Sequence, residues 1–412
     1  MGVKQLENRV LINGSEPTLW RNKNFLLLWA SQISSGIGFQ IYNIVMPLLI
    51  YSMSQSALAM SGMRVMEILP NVFLGMIAGV IVDRFKRKLI MSWAIILKGF
   101  AIGLITFSLF TGQLQLWSLF LLGFLFASSG YFYGNALHSI IPQLMDKRFL
   151  TEANAKLSFT STFISMIGPG VVGIFLVLSS FTGLFFVQLL LVLLMGFFIL
   201  NMKVSERPRQ QSTFSFWKDL LEGLKELFAN KTLLTPTIAI LFINLASSMT
   251  MGVLIFFAVD TLGTTEVEVG YMMSLGAIGG LVGAVLIKKV ATFLPRGKMF
   301  TYALLIDVTG FILLLFAQIW WFIGITLMLR TFAVTIININ YLAIRQEFTP
   351  NHLLGRVAGT SSTLMKLAMP IGFLLGGLWV EWFQVQTLFM MTACIILAIF
   401  VSLIRTTFYQ LK

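Results

Sequence analysis

Apolar residues run along this chain in long stretches, and short polar breaks separate them. The runs lie at about 24–51, 57–82, 88–110, 115–144, 158–178, 182–201, 233–259, 267–287, 299–316, 320–344, 358–380 and 385–404. A helix needs about 20 mainly apolar residues to cross a bilayer, so the pattern predicts an all-α membrane protein with twelve transmembrane helices. Thr111-Gly112-Gln113 separates the third run from the fourth, and Glu381-Trp382-Phe383-Gln384 separates the eleventh from the twelfth. Such turns leave no room for a folded domain outside the membrane.

One connection is long, about 202–232. It opens on Ser205-Glu206-Arg207-Pro208-Arg209, a basic stretch that breaks a helix. Beyond it Phe214, Trp217, Leu220, Leu221, Leu224 and Phe228 recur at helical spacing, with Lys218, Glu222, Lys225 and Glu226 between them. That is the pattern of an amphipathic helix lying at the cytoplasmic interface. The chain therefore divides into an N-terminal segment 1–23, a six-helix bundle 24–201, a linker 202–232, a second six-helix bundle 233–405 and a short tail 406–412.

Composition supports the bilayer reading. Hydrophobic residues make up 57% of the 412 positions and charged residues 11%, against about 25% charged in ordinary soluble domains. A water-soluble core stops growing near about 250–300 residues and could not hide so much apolar side chain. The net charge is +13, but the basic residues sit in loops rather than on one surface, which argues against nucleic acid. Of the 29 lysines and arginines, 25 lie in the termini or the even-numbered connections, and the odd-numbered connections carry only Asp260, Glu266, Glu268 and Glu381. By the positive-inside rule both termini are cytoplasmic and the span count is even. The first twenty residues are polar and predict no cleavable signal peptide. The expected location is the cell (inner or plasma) membrane.

Several chemistries drop out. One cysteine, Cys394, and two histidines, His138 and His352, make no metal cluster. No nucleophile–base pair is concentrated at one depth, and the loops are too short to hold an active site. The sequence thus points away from an enzyme and away from any cofactor other than a coupling ion. The expected partners are a small-molecule substrate and the lipid bilayer, with the chain acting as a monomer.

Charges within the runs are the more discriminating feature. Arg64 and Glu67 lie in the second, Lys98 in the third, Asp307 in the ninth, Arg330 in the tenth and Lys366 in the eleventh. A charge at the bilayer centre costs about 2.5–3.5 kcal/mol on insertion scales. Six facing lipid would cost about 15–20 kcal/mol, above the usual net stability of a protein, so they must face the interior, pair or line water. Arg64 and Glu67 are three residues apart and share a helix face, which suits either a structural ion pair or a pair that opens when Glu67 takes up a proton. Asp307 is a second proton candidate. His138, with Asn135 and Tyr131 on roughly its face, is either a relay or a packing residue. Phe39, Gln40, Tyr42 and Asn43 in the first run and Asn244 in the seventh suit the lining of a polar and aromatic cavity.

The halves echo each other at an offset of about 204: Gly75-Met-Ile-Ala-Gly79 corresponds to Gly279-Gly-Leu-Val-Gly283. The fifth run carries Gly168-Pro169-Gly170 and Gly173, and the eleventh Pro370, Gly372, Gly376 and Gly377. Duplication of a six-helix unit is the expected origin, with substrate at the midplane between two pseudo-symmetric bundles.

Between the second and third runs stands Gly79-Val-Ile-Val-Asp83-Arg84-Phe-Lys86-Arg87-Lys88, which resembles the signature loop of the major facilitator superfamily. Leu354-Gly355-Arg356-Val357 with Leu367-Ala368-Met369-Pro370-Ile371-Gly372 is similar to the macrolide-efflux branch of the drug:proton antiporters. So is Ser139-Ile-Ile-Pro142 with Leu150-Thr151-Glu152-Ala153-Asn154. That branch also includes siderophore and lysophospholipid exporters. Two features depart from the family. Gly134-Asn135 stands where Pro-Ala is frequent, and Ile287 and Lys288 stand where the second-half loop copy would carry Asp and Arg. The resemblance implies a major facilitator fold, alternating access and multidrug-type efflux powered by proton entry. It also implies a cytoplasmic gate made by Gly79, Asp83, Arg84 and Arg87, with Asp83 facing the start of the eleventh helix.

The substrate stays open at this level. An amphiphilic, macrolide-like drug is the leading expectation. Arg64, Lys98, Arg330 and Lys366 against two midplane acids favour a siderophore or other anionic metabolite as the alternative, and a lysolipid comes third. A non-transporting receptor or scaffold is the competing class.

Overall fold

The computed structural model describes residues 19–74, 81–82, 84–204 and 216–411. The first half comprises α1 (Lys23–Ser54), α2 (Ala57–Phe73), α3 (Arg87–Phe110), α4 (Leu116–Leu144), α5 (Leu150–Leu178) and α6 (Phe181–Asn201). After α7 (Phe216–Ala229), the second half consists of α8 (Lys231–Phe256), α9 (Glu266–Val290), α10 (Arg296–Leu314), α11 (Trp320–Phe348), α12 (Leu354–Trp382) and α13 (Val385–Ile404). No strand occurs among the described residues. Eleven of these helices are long and apolar enough to cross a membrane. The twelfth span of the pattern is α2, seen over 17 residues and followed by positions 75–80, which lie outside the described residues.

Helices suit this setting because each satisfies its own backbone polar groups where lipid offers none. Their ends are fixed by local chemistry. Asn22 accepts from the backbone N–H groups of Asn24 and Phe25 at the start of α1, and Gln55 ends it in the left-handed region at φ 48°. Thr265 and Glu268 form a reciprocal capping box at the start of α9. Gly112 takes φ 68° in the tight turn between α3 and α4, which a side chain would strain. The helices outrun the apolar pattern in places. α5 begins at Leu150, not 158, and its first turns carry a Glu152–Lys156 pair at 3.3 Å, as suits a segment leaving the hydrocarbon layer.

Packing reproduces the expected duplication. Within the first half α1 packs on α5 and α6, α2 on α4, and α3 on α4 and α6; the second half repeats this with α8 on α12 and α13, α9 on α11, and α10 on α11 and α13. The two halves meet chiefly through α2 against α12 and α5 against α9, which are pseudo-symmetry mates. Large apolar side chains such as Phe107, Leu193, Phe197 and Val285 point outward, as a lipid-facing belt requires.

The inter-half contacts cluster at one end of the bundle, where the odd-numbered connections emerge. There Tyr51 donates to Asp260 Oδ1 at 3.1 Å, Ser56 donates to Glu381 Oε1 at 3.2 Å, and the backbone N–H of Gly170 donates to Ser274 Oγ at 2.9 Å. Gly173 and Gly270 let α5 and α9 touch backbone to backbone: a Cβ on Gly270 would stand 2.4 Å from the carbonyl oxygen of Pro169. Ser61 packs against Gly252 and Gly377 beside them.

The amphipathic helix expected in the linker is α7. It lies against α12 and the start of α8, with Leu227 buried and Leu221 and Phe228 exposed. Arg356 at the start of α12 donates to Glu222. Phe214 of the predicted pattern lies outside the described residues.

Candidate functional site

A cavity of about 750 Å³ lies at the centre, walled mainly by the first half. Helical spacing explains its lining. In α1, Gln32, Ser35, Gly36, Phe39, Gln40 and Asn43 fall on one face; in α2, Arg64, Glu67, Ile68 and Asn71 do; in α4, Ala127, Gly130, Tyr131, Gly134, Asn135 and His138 do. α5 adds Ser161, Ile164 and Ser165, and α12 adds Met369 and Phe373. Gln32, Asn71, His138 and Ser161 carry the lining toward the end opposite the inter-half contacts. Gly130 and Gly134 shape it by omission, since a Cβ on either would meet nothing within 4 Å.

A smaller chamber of about 290 Å³ adjoins the main cavity, lined by Asn244, Ser247, Ser248, Met251, Leu254 and Ile255 of α8 and Met273 of α9. Asn43, Arg64, Met369 and Phe373 line both spaces, so these four side chains form the partition between them.

The partition is polar on one side. Arg64 donates from Nη1 to Glu67 Oε2 at 2.8 Å and to Asn43 Oδ1 at 3.0 Å. The other Glu67 oxygen and the Tyr42 hydroxyl are buried outside any hydrogen bond of good geometry among the described residues, and the hydroxyl lies against the Glu67 carboxylate. Tyr42 stacks on Phe126 with ring centres 3.9 Å apart. Lys98 places its ammonium 5.1 Å from the centre of the Phe126 ring and 5.9 Å from that of Tyr133. Lys98 lines the cavity, is 6% exposed, and has no carboxylate within salt-bridge reach among the described residues. Tyr133 is in turn held by Ser31 at 2.8 Å.

The structure therefore gathers Arg64, Glu67, Lys98, Gln40, Tyr42, Asn43 and His138 in or against one cavity. Asn244 is in the smaller chamber, its amide donating to the carbonyl of Met365 at 2.9 Å. Asp307 and Arg330 are elsewhere. They form a fully enclosed pair between α10 and α11, Nε to Oδ1 at 3.1 Å, with the guanidinium stacked on Phe311. Lys366 is partly buried on α12 and lines neither space. Of the gate motif, Gly79 and Asp83 lie outside the described residues, Arg84 is exposed and Arg87 is buried at the start of α3.

Sequence reasoning did not place Phe126, Tyr133, Asn71, Ser161, Met369 or Phe373 in the cavity. Asn71 had a signal, because it continues the face of Arg64 and Glu67 one turn further along α2. The aromatics had none, since nothing in a run rich in Phe marks which ring faces inward.

Comparison with known proteins agrees with this architecture. The family profile of the Major Facilitator Superfamily matches residues 28–372 and again 237–410. The chain is 22% identical over 388 residues to macrolide efflux protein A of Streptococcus pyogenes, covering 92% of this chain and 95% of that protein. It is 27% identical over 316 residues to a putative bacilysin exporter of Bacillus subtilis, covering 76% of this chain and 77% of the other. Among solved structures, a bacterial homologue of the iron transporter ferroportin in its inward-facing state superposes with a TM-score of 0.77 at 17% identity, covering 94% and 99% of the two chains. A nucleoside transporter does so with a TM-score of 0.80 at 12% identity, covering 92% and 99%. With its duplicated bundle, its central cavity and this match over most of its length, the chain belongs to the Major Facilitator Superfamily.

Proposed function

We propose that this transporter exports an amphiphilic organic compound across the cell membrane in exchange for protons, and that Glu67 carries the proton. The observation behind this reading is the position of the Arg64–Glu67 pair. It stands on the partition between the two chambers, with one carboxylate oxygen bonded to Arg64, the other buried outside any hydrogen bond of good geometry among the described residues, and the Tyr42 hydroxyl against the carboxylate. Protonation of Glu67 neutralises one member of the pair and frees Arg64, which stays tethered to Asn43 on α1. A switch of partners at that place couples proton occupancy to the packing of α1 and α2 at the partition. The large apolar and aromatic share of the lining suits an amphiphile, and relatives named as a macrolide efflux protein and a putative bacilysin exporter support export.

The test is proton movement in proteoliposomes on addition of candidate amphiphiles, wild type beside Glu67→Gln. Substrate-triggered proton flux that is lost in Glu67→Gln, with the variant folded, is the expected result. Equal flux in both would make Arg64–Glu67 a structural pair, and no flux with transport intact would make the protein a uniporter.

A further inference from the structure

The charges that face the main cavity do not balance. Arg64 and Glu67 satisfy each other at 2.8 Å, while among the described residues Lys98 meets two aromatic faces, Phe126 and Tyr133, and no carboxylate. Burial of an ammonium without a counter-ion is costly in the membrane interior, and cation–π contact offsets part of that cost and no more. The second-half midplane charges do not relieve it, because Asp307 is enclosed with Arg330 away from the cavity. Such a site is completed when the ligand brings the missing negative charge.

We infer that Lys98 is the docking point for a carboxylate on the transported compound, so that the substrate class is an amphiphilic organic monoanion. This rests on the proposed export function only in calling the ligand a substrate. Arg64, the other cation of this cavity, is already paired with Glu67, so the single unmatched ammonium fits one carboxylate rather than a phosphate dianion, which draws several charged donors. The rest of the molecule lies along apolar wall: Phe39 is half exposed into the cavity, and Met369 and Phe373 stand across from it on α12. The buried, unpartnered Oε1 of Gln32 offers an acceptor for an N–H or O–H of the ligand.

The test uses two fluorescent probes that differ only at the charge, dansyl-phenylalanine and dansyl-phenylalaninamide, titrated at fixed pH onto the purified full chain with no gradient imposed. Wild type should bind the carboxylate at least about tenfold more tightly than the amide, the scale of losing one buried charge partner. Lys98→Met should erase that preference while the amide still binds, which also shows that the cavity is intact, and Lys98→Arg should restore the preference. Equal binding of both probes by wild type, binding of neither, or a carboxylate preference that survives Lys98→Met would each overturn the assignment. Because no proton or substrate gradient enters the measurement, its result is independent of whether transport is proton-coupled.

Discussion

Arg330 donates from Nε to Asp307 Oδ1 at 3.1 Å in a place where neither side chain touches the central cavity. The neighbouring Gly310 makes this possible, since a Cβ there would stand 2.4 Å from the Arg330 Cγ. The pair thus fastens α10 to α11 within one half. Breaking a buried pair by removing one partner costs about 3–5 kcal/mol, whereas replacing both with apolar groups is often neutral. Asp307→Asn or Arg330→Met alone should therefore lower the thermal unfolding temperature in detergent sharply. The double variant Asp307→Leu, Arg330→Met should recover most of the loss and keep transport. Loss of proton coupling in the double variant with normal stability would instead give Asp307 a role in the transport cycle.

At the end where the two halves meet, the contact of α5 with α9 depends on the absence of side chains. A Cβ on Gly270 meets the backbone of Pro169 at 2.4 Å and the Cα of Gly173 at 3.1 Å, and backbone cannot move aside as a flexible side chain can. Gly270→Val should hold the halves apart there and shift the population toward conformations open on that side. Spin labels at Met53→Cys and Thr261→Cys, in a background where exposed Cys394 is replaced by Ser, should report a longer distance in Gly270→Val than in the parent. An unchanged distance distribution would show that the contact bends rather than breaks.

Much of this architecture is legible in the sequence, and the reason is the solvent. A bilayer demands about 20 apolar residues per crossing, so the twelve runs, the long linker and the duplication can be read along the chain. The Arg64–Glu67 pair is legible too, because residues three apart on one helix meet whatever the tertiary fold does. The partnership of Asp307 with Arg330 is not: the two are 23 residues apart on different helices, and only packing decides whether each meets the other or the cavity. Lys98 is the converse case. Its place near the midplane could be read, but its lack of a counter-ion depends on which helix faces look inward.

The linker helix is seated through Gly223, where a Cβ would stand 2.8 Å from the carbonyl oxygen of Arg356 and 2.4 Å from Thr360 Oγ1. The Glu222–Arg356 pair beside it is about a third exposed on both sides, and exposed pairs contribute about 0–1 kcal/mol. Gly223→Leu should unseat α7 from α12 and speed proteolytic cleavage within the linker. Glu222→Gln should change the cleavage rate little. The reverse ranking would assign the seating of α7 to the ion pair rather than to close packing.

Gly134 on α4 faces open cavity, with nothing within 4 Å of the place a Cβ would occupy. An aromatic side chain there would fill the space proposed for the transported compound without displacing protein atoms. In an ordinary helix it would also remove a glycine penalty of about 0.5 kcal/mol. Gly134→Phe should therefore unfold at the same temperature as wild type or a higher one, yet bind the charged and the neutral dansyl amphiphiles much more weakly. The same change at Gly276, where a Cβ meets Leu327 at 2.9 Å outside the cavity, should show the opposite pattern, with stability lost and probe binding in the surviving folded fraction retained. That contrast separates a steric block of the binding space from general damage to the bundle. Undiminished binding in Gly134→Phe would place the ligand away from the α4 wall and nearer the partition formed by Arg64, Met369 and Phe373.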